Sequence, residues 1–217
     1  MADEILESID SEHDEQEKLT ELISYLFHQN GFHGSYFDYR NNANSYLDNV
    51  IDDREGLPIT LSVLFLELGR RIQLDGLSGF PLPYHFLVKH ETTKGDYRLI
   101  DVFNSGESMT YSEADNFVSQ HQKGPFRSDL LVSSSKKEII NRMLRNLLAF
   151  TQAEESLATS LPYLDLLITL NPSTASFYLE RAWIHLRSGN SDGARHDLQW
   201  ILDHEPEGIN IPRVREA

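Results

Sequence analysis

Cysteine is absent from all 217 residues of the sequence. Without cysteine the chain forms no disulfide bond, offers no thiolate to a metal ion and has no thiol nucleophile. The nine histidines include no HExxH or other paired metal-binding spacing, and no glycine-rich phosphate loop is present. The sequence therefore predicts neither a metal nor another cofactor, and it excludes the thiol-dependent enzyme classes.

Long apolar runs and an excess of positive charge are missing as well. No apolar run reaches the roughly 18 residues that a membrane-spanning helix needs. The first ten residues, MADEILESID, are acidic, which is not typical of a signal peptide. Lys and Arg total 19 against 34 Asp and Glu, so the net charge is −15. Charge of that sign repels nucleic acid and anionic lipid, so neither is expected as a partner, and a cytoplasmic location is expected.

The residues that are present suffice for a folded core. Hydrophobic residues make up 40 % of the chain and aromatic residues 10 %, which excludes global disorder. The most apolar stretch lies within Arg54–Arg71 (REGLPITLSVLFLELGRR), where a Gly-Leu-Pro turn precedes the apolar segment Ile59–Leu68. Proline suits the first turn of a helix, and a helix that is apolar nearly all round is buried. We expect this helix to form the centre of the fold.

The segments on either side of this helix have different patterns. Upstream, the segment 31–53 is rich in glycine, asparagine and aromatic residues, and we expect its Phe and Tyr side chains to pin an ordered loop to the protein. Downstream, Leu77–Phe80, Phe86–Val88 and Tyr97–Phe103 have the composition of short strands, and a turn-like stretch separates the last two. Two strands about a turn predict an antiparallel hairpin, so the fold class is α+β.

A helical repeat follows the predicted sheet. The segment Leu164–Pro172 (LDLLITLNP) aligns with Leu198–Pro206 (LQWILDHEP), 34 residues further on, and this period is typical of tetratricopeptide helix pairs. Trp183 and Trp200 fall at repeat positions that pack helix on helix, which predicts that both are core side chains. The predicted organisation is an α+β domain over residues 15–130, tetratricopeptide-like helices over 135–206, and flexible termini at 1–14 and 207–217.

Several short motifs occur in an order that is typical of one family. These motifs are NSYL (44–47), REGLPITLS (54–62), PYHFLV (83–88), IDVF (100–103) and Gly106. Together with the repeats, they resemble the SirB-type transglutaminase-like family, whose members join a transglutaminase-like core to C-terminal tetratricopeptide repeats. The resemblance implies a fold akin to papain-like cysteine proteases, in which a helix carries the nucleophile and an antiparallel sheet carries a histidine and then an aspartate.

The resemblance also assigns roles to individual residues. His85 falls on the family's histidine and Asp101 on its aspartate. The family's cysteine position falls on Pro58 when the Gly-x-Cys turn anchors the comparison, and on Thr60 when the far end of the helix does. Tyr84 stands where the family usually has glycine, which is expected to narrow access to His85.

Thr60, Ser62, His85 and Asp101 are the candidate catalytic residues. In such systems an imidazole takes the proton of the nucleophile, and a carboxylate holds the ring in the right tautomer. His85 and Asp101 are 16 residues apart across the predicted hairpin, so neighbouring strands can hold them side by side. The hydroxyls of Thr60 and Ser62 are much harder to deprotonate than a thiol, and the β-branch of threonine crowds attack on an amide.

The sequence therefore favours a non-catalytic scaffold that keeps a relic His–Asp pair and binds a protein or peptide partner, in a regulatory role. A peptide is the expected partner because tetratricopeptide pairs generally present a groove to peptide segments. The alternative is a cysteine-less hydrolase or acyl transferase on amide or ester bonds, with Thr60 or Ser62 as nucleophile, His85 as base and Asp101 orienting the ring. The sequence does not determine the oligomeric state.

Overall fold

A computed structural model describes residues 1–9, 13–92, 96–121, 132–153 and 157–215. The chain divides into two compact units, Met1–Ile139 and Ile140–Ala217. The first unit contains an antiparallel sheet with helices, and the second is helical, so the predicted α+β class is confirmed. The predicted domain boundaries at 15–130 and 135–206 stay predictions. Across the described ranges, no helix combines the length and the apolar character that a bilayer-spanning helix requires.

The first unit contains both helices and strands. Its elements are α1 (Ala2–Ser8), α2 (Glu15–Ile23, continued by a π-helical turn over Ser24–Gln29), β1 (His33–Gly34), a 3-10 turn (Asn42–Ser45), α3 (Leu47–Asp53), β2 (Glu55–Gly56), α4 (Pro58–Arg71), β3 (Leu77–Leu82), β4 (His85–Glu91), β5 (Tyr97–Asp101), β6 (Glu107–Met109), α5 (Tyr111–His121) and the first residues of α6 (Lys136–Ala153).

Helix α4 is the buried helix that the sequence predicts. Pro58 is its first residue, and Arg70 and Arg71 lie in its last turn, where positive charge suits the helix dipole. Its apolar side chains, among them the fully buried Phe65, belong to the main hydrophobic cluster of this unit. The helix thus forms the centre of the first unit.

The strands β3 to β6 form one antiparallel sheet in sequence order. This confirms the hairpin of β4 and β5 and the third strand β3, whereas the short β6 was not predicted. Val88 and Ile100 are register partners whose side chains lie in the cluster of α4. Because side chains alternate along a strand, Leu87 and Leu99 lie on the other face, where they pack against Ala114 and Val118 of α5.

The N-terminal segment contains a short helix that the acidic composition did not predict. In α1, Ile5 is fully buried and belongs to the main cluster of the first unit. Tyr25 of the π-helical turn donates a hydrogen bond to Glu4. Burial and this acidic neighbour raise the pKa of Tyr25 to about 12. Residues 2–8 therefore contribute to the core, although most of their side chains are charged or polar.

The second unit is a set of packed helices. It contains most of α6, a 3-10 turn (Leu157–Ser160), α7 (Leu161–Leu170), α8 (Ala175–Arg187), α9 (Ser191–His204) and α10 (Ile211–Arg215). Arg181 of α8 donates to Asp197 of α9 at 2.9 Å and to Asp165 of α7 at 2.6 Å. These bonds tie three successive helices of the predicted repeat together.

The two tryptophans of the second unit differ in environment. Trp200 packs against the hydrophobic cluster and stacks on Tyr178 at 3.8 Å between ring centroids, as predicted. The prediction that Trp183 is a core residue is wrong, because its side chain is 47 % exposed. The adjacent Ile184 is fully buried instead, so the side of α8 that carries Ile184 faces the hydrophobic cluster of this unit.

Candidate functional site

His85 and Asp101 are brought together by adjacent antiparallel strands. His85 is the first residue of β4 and Asp101 the last residue of β5. Their atoms Nε2 and Oδ2 lie 2.9 Å apart, which confirms the predicted side-by-side placement. A carboxylate only accepts hydrogen bonds, so Nε2 carries the proton and donates. The carboxylate thereby fixes both the tautomer and the orientation of the imidazole.

Asp101 is a buried carboxylate with several donors. The backbone N–H groups of Phe103 and Asn104 donate to Oδ1 at 3.1 and 3.2 Å, and the Asn104 side-chain amide donates to Oδ2 at 2.8 Å. Burial alone would raise the pKa of this carboxyl, but the hydrogen bonds and charge interaction with His85 and the bonds from Asn104 outweigh it. The pKa of Asp101 therefore lies below its ordinary value, and the group is ionised at neutral pH.

Aromatic rings enclose the imidazole of His85. The ring of Phe117, from α5, lies 5.2 Å from it between centroids, and the ring of Phe103 lies 6.1 Å away at nearly a right angle. His85 shares its sheet face with Leu87 and Asp101 shares its face with Leu99, which is the face that α5 covers. Only 7 % of His85 is exposed, so a substrate has little access to the ring.

A line of hydrogen bonds joins this pair to the loop after β1. The hydroxyl of Tyr36 donates to the Asn104 side-chain oxygen at 2.6 Å and also lies 3.1 Å from the Phe103 carbonyl oxygen. Asn104 in turn donates to Asp101. Burial, Asp101 and Glu107 all raise the pKa of Tyr36, which keeps the phenol protonated as a donor. This confirms, for Tyr36, the expectation that aromatic residues pin the loop.

The hydroxyl of Thr60 is bonded to the backbone. It accepts the N–H of Leu57 at 2.9 Å, and it lies 2.8 Å from the carbonyl of Asn44 and 3.1 Å from that of Leu57. Thr60 is fully buried. The side chain thus caps the start of α4 and fastens the helix to the 3-10 turn, which is a structural arrangement.

The hydroxyl of Ser62 is also bonded to the backbone. It donates to the carbonyl of Pro58, one turn earlier in α4, at 2.7 Å, and Ser62 is fully buried. This is the back-bonding of a helical serine. The structure therefore brings His85 and Asp101 together and holds Thr60 and Ser62 in bonds to main-chain oxygens. The assignment of all four as catalytic residues stays a prediction.

Sequence reasoning missed two contributors to this site. Asn104 is not among the predicted site residues, although an aspartate at the end of a strand often bonds to the backbone of the turn that follows it. Phe117 lies in a helix with no motif, so no sequence signal marks its position over His85. No group of three or more His, Asp or Glu side chains with metal-binding geometry occurs in the described part of the chain.

Fold and site together define a transglutaminase-like α+β domain followed by tetratricopeptide-like helices. Comparison with family models gives the same result. Residues 1–145 match the model of the transglutaminase-like superfamily, and residues 147–217 match a tetratricopeptide repeat. The chain therefore belongs to the transglutaminase-like superfamily, and the resemblance to its SirB-type branch with C-terminal repeats is confirmed by the relatives described next.

The chain is similar to several UPF0162 proteins over most of its length. A UPF0162 protein of Xylella fastidiosa strain 9a5c is 31 % identical, over 91 % of this chain and 72 % of that protein. UPF0162 protein YchA of Escherichia coli K12 is 26 % identical, over 88 % of this chain and 71 % of YchA. F-box only protein 21 of Homo sapiens is 28 % identical over 80 % of this chain, but the match covers only 29 % of that protein. No solved structure matches the chain.

Proposed function

We propose that this protein is a non-catalytic transglutaminase-like scaffold that binds a protein or peptide partner and acts in regulation. A transglutaminase-like domain joined to tetratricopeptide repeats fits a protein-interaction scaffold. The observation that carries the non-catalytic part is the bonding of the two candidate hydroxyls. Thr60 and Ser62 are both fully buried and hydrogen-bonded to backbone carbonyls.

The chemistry of the site supports this proposal. A working hydroxyl nucleophile needs its proton within hydrogen-bond reach of a base, about 2.6–3.2 Å away. The proton of Ser62 is instead directed to the Pro58 carbonyl. His85 is bonded to Asp101 and enclosed by Phe103 and Phe117. These contacts suit a polar pair that stiffens one end of the sheet, and no observation favours the alternative hydrolase or acyl transferase.

The second unit supplies a surface that supports partner binding. Trp183 and Leu186 of α8 are 47 % and 48 % exposed, and the guanidinium carbon of Arg187 lies 5.0 Å from the centre of the Trp183 ring. Residues three and four apart share one face of a helix, so these three side chains form one apolar and cationic face. Exposed tryptophan and arginine are the residue types that most often dominate binding energy.

The expected cytoplasmic location stays a prediction.

The binding part is tested by affinity capture with the full-length tagged protein. Capture from an extract of the source cells is quantified by mass spectrometry for the wild type, Trp183→Ser and Leu166→Ser. Leu166 of α7 is 51 % exposed, so its substitution is a matched loss of exposed apolar surface on another helix. We expect a partner whose recovery falls about tenfold with Trp183→Ser and is unchanged with Leu166→Ser.

Two outcomes would contradict the proposal. One is that no protein is enriched over the tag alone in any condition. The other is that the recovered set is the same for Trp183→Ser as for the wild type while circular dichroism shows that both variants are folded. Either result would remove the support that this exposed face gives to partner binding.

A further inference from the structure

Exposed aromatic side chains lie in two chain segments next to the His85–Asp101 pair in the first unit. Tyr36, Phe37 and Tyr39 follow β1, and Tyr84 directly precedes His85. Their exposed fractions are 57 %, 103 %, 40 % and 71 %. We name these four residues the aromatic rim. A fully exposed phenylalanine beside three exposed tyrosines is unusual for a surface that only meets water.

Two members of the rim meet one buried ring. Phe103 is 9 % exposed, and the rings of Tyr36 and Tyr39 meet it at 4.7 and 6.1 Å between centroids, both at steep angles. The imidazole of His85 lies 6.1 Å from the same ring. Tyr36 and Tyr39 therefore flank Phe103 directly, Phe37 follows Tyr36 in the chain, and Tyr84 adjoins His85 in sequence.

Hydrogen bonds hold the rim loop in a defined conformation. Asn44, itself 6 % exposed, donates to the backbone carbonyl of Asp38 at 2.7 Å and to the hydroxyl of the fully buried Ser35 at 3.0 Å. Asn41 donates to the Asp38 carboxylate at 2.8 Å. Because the loop is fixed by these bonds, Phe37 is exposed by the fold itself, and little conformational entropy remains to be lost on binding.

The charges near the rim are mainly negative. Asp38 lies within the rim loop, and both Asp101 and Glu107 act electrostatically on the hydroxyl of Tyr36. The loop also carries one cation, Arg40, but the chain as a whole has a net charge of −15. Aromatic faces attract cations, and a negative surface draws them in by its field.

We propose that the aromatic rim is a docking surface for a basic peptide segment that carries Lys or Arg next to apolar residues. The ammonium or guanidinium groups lie over the tyrosine rings and beside Asp38, and the apolar side chains cover Phe37. The rim belongs to the first unit and the exposed face of α8 to the second, so this proposal extends the proposed function and is tested independently of it. A second copy of this chain is the poorer occupant, because two molecules of charge −15 repel each other.

The test measures fluorescence anisotropy of a fluorescein-labelled (Lys-Leu-Gly)4 peptide against the full-length protein, with a matched (Glu-Leu-Gly)4 peptide. The variant Phe37→Ser removes the fully exposed ring and leaves the charge unchanged, so it separates aromatic docking from bulk attraction. Leu166→Ser is the matched control, because it removes an exposed apolar side chain from the second unit. We expect binding of the lysine peptide alone, with Kd raised about tenfold by Phe37→Ser and unchanged by Leu166→Ser.

Three results would overturn this proposal. The first is that the lysine peptide has the same Kd for wild type and Phe37→Ser. The second is that the glutamate peptide binds as tightly as the lysine peptide. The third is a sedimentation experiment in which the wild type is dimeric and Phe37→Ser is monomeric, since a second copy would then cover the rim. The midpoint of thermal unfolding of Phe37→Ser is measured in parallel. Tyr84→Ser, which changes a different rim residue, is expected to raise the Kd of the lysine peptide as well.

Discussion

Asp101 is a buried carboxylate that stays ionised because donors surround it. Hydrogen bonds from His85, Phe103 and Asn104 offset the burial that would otherwise raise its pKa. A carboxyl whose pKa is lowered by folding stabilises the folded state above its ordinary pKa of about 3.9. This contribution is lost as the pH falls through the lowered pKa. The pair therefore contributes to stability at neutral pH whether or not it has a catalytic role.

Asp101→Asn tests this contribution at the residue scale. Asparagine has one acceptor oxygen and one NH2 group where aspartate has two acceptor oxygens. In the variant the NH2 group therefore faces a hydrogen-bond donor and cannot accept a bond from it. We expect the free energy of unfolding at pH 7 to fall by about 2–4 kcal/mol, and the difference from wild type to shrink as the pH drops below about 4. Urea unfolding at several pH values measures both. Asp96→Asn, in an exposed position just before β5, is the control and is expected to stay within about 0.5 kcal/mol of wild type.

Tyr84 occupies a backbone conformation that favours glycine. Its φ of 62° lies in the left-handed region, and Pro83 and Tyr84 are the two residues that link β3 to β4. A proline followed by a residue with positive φ is typical of a type II turn, in which glycine is preferred at the second of the two central positions. This explains physically why the resembled family usually has glycine there. It also shows that tyrosine at this position has a conformational cost.

The cost at Tyr84 is measured by comparing two substitutions. Tyr84→Ala and Tyr84→Gly both remove the phenol ring, but only glycine adopts positive φ without strain. We expect the glycine variant to be more stable than the alanine variant by about 1 kcal/mol, measured by thermal unfolding. Equal stabilities, or a more stable alanine variant, would show that the turn in solution does not have this conformation.

At the scale of elements, the sequence predicted the parts with strong local patterns. The apolar run of α4 and the strand composition of β4 and β5 both appear in the structure. What it missed depends on tertiary contacts. The helix α1 has one buried apolar residue, Ile5, among charged neighbours. The exposure of Trp183 depends on which face of α8 packs on its neighbours, which the repeat pattern does not define.

Ile5→Ala tests whether α1 belongs to the folded core. Ile5 is fully buried in the main cluster, whereas its neighbour Leu6 is 43 % exposed. Truncation of a buried isoleucine leaves a cavity and costs about 2–4 kcal/mol of unfolding free energy, while Leu6→Ala is expected to stay within about 0.5 kcal/mol of wild type. Denaturant unfolding measures both variants. If Ile5→Ala and Leu6→Ala were equally mild, α1 would not be part of the core in solution.

At the scale of the whole molecule, the sequence predicted the pairing of the site residues better than it predicted their environment. The order of motifs was enough to place His85 beside Asp101, because the resemblance singled out both residues and a hairpin brings neighbouring strands together. The environment of the pair was not predictable in this way. Phe117 contacts His85 through chain geometry that no spacing rule encodes. The same holds for the backbone bonds of Thr60 and Ser62, which only the structure shows.

The proposed function depends on the inference that the molecule has no working nucleophile. It combines the lack of cysteine with two hydroxyls bonded to main-chain carbonyls and a histidine enclosed by aromatic rings. In the proposed scaffold the fold of the superfamily is kept, and the proposed binding surfaces are the exposed face of α8 and the aromatic rim.

The most direct test is intact-protein mass spectrometry after incubation with a fluorophosphonate probe, with a known serine hydrolase as positive control. We predict that the wild type gains no adduct under conditions that label the control to completion. A single stoichiometric adduct on Thr60 or Ser62 that is absent from a folded His85→Asn variant would contradict this account and establish an active hydroxyl nucleophile.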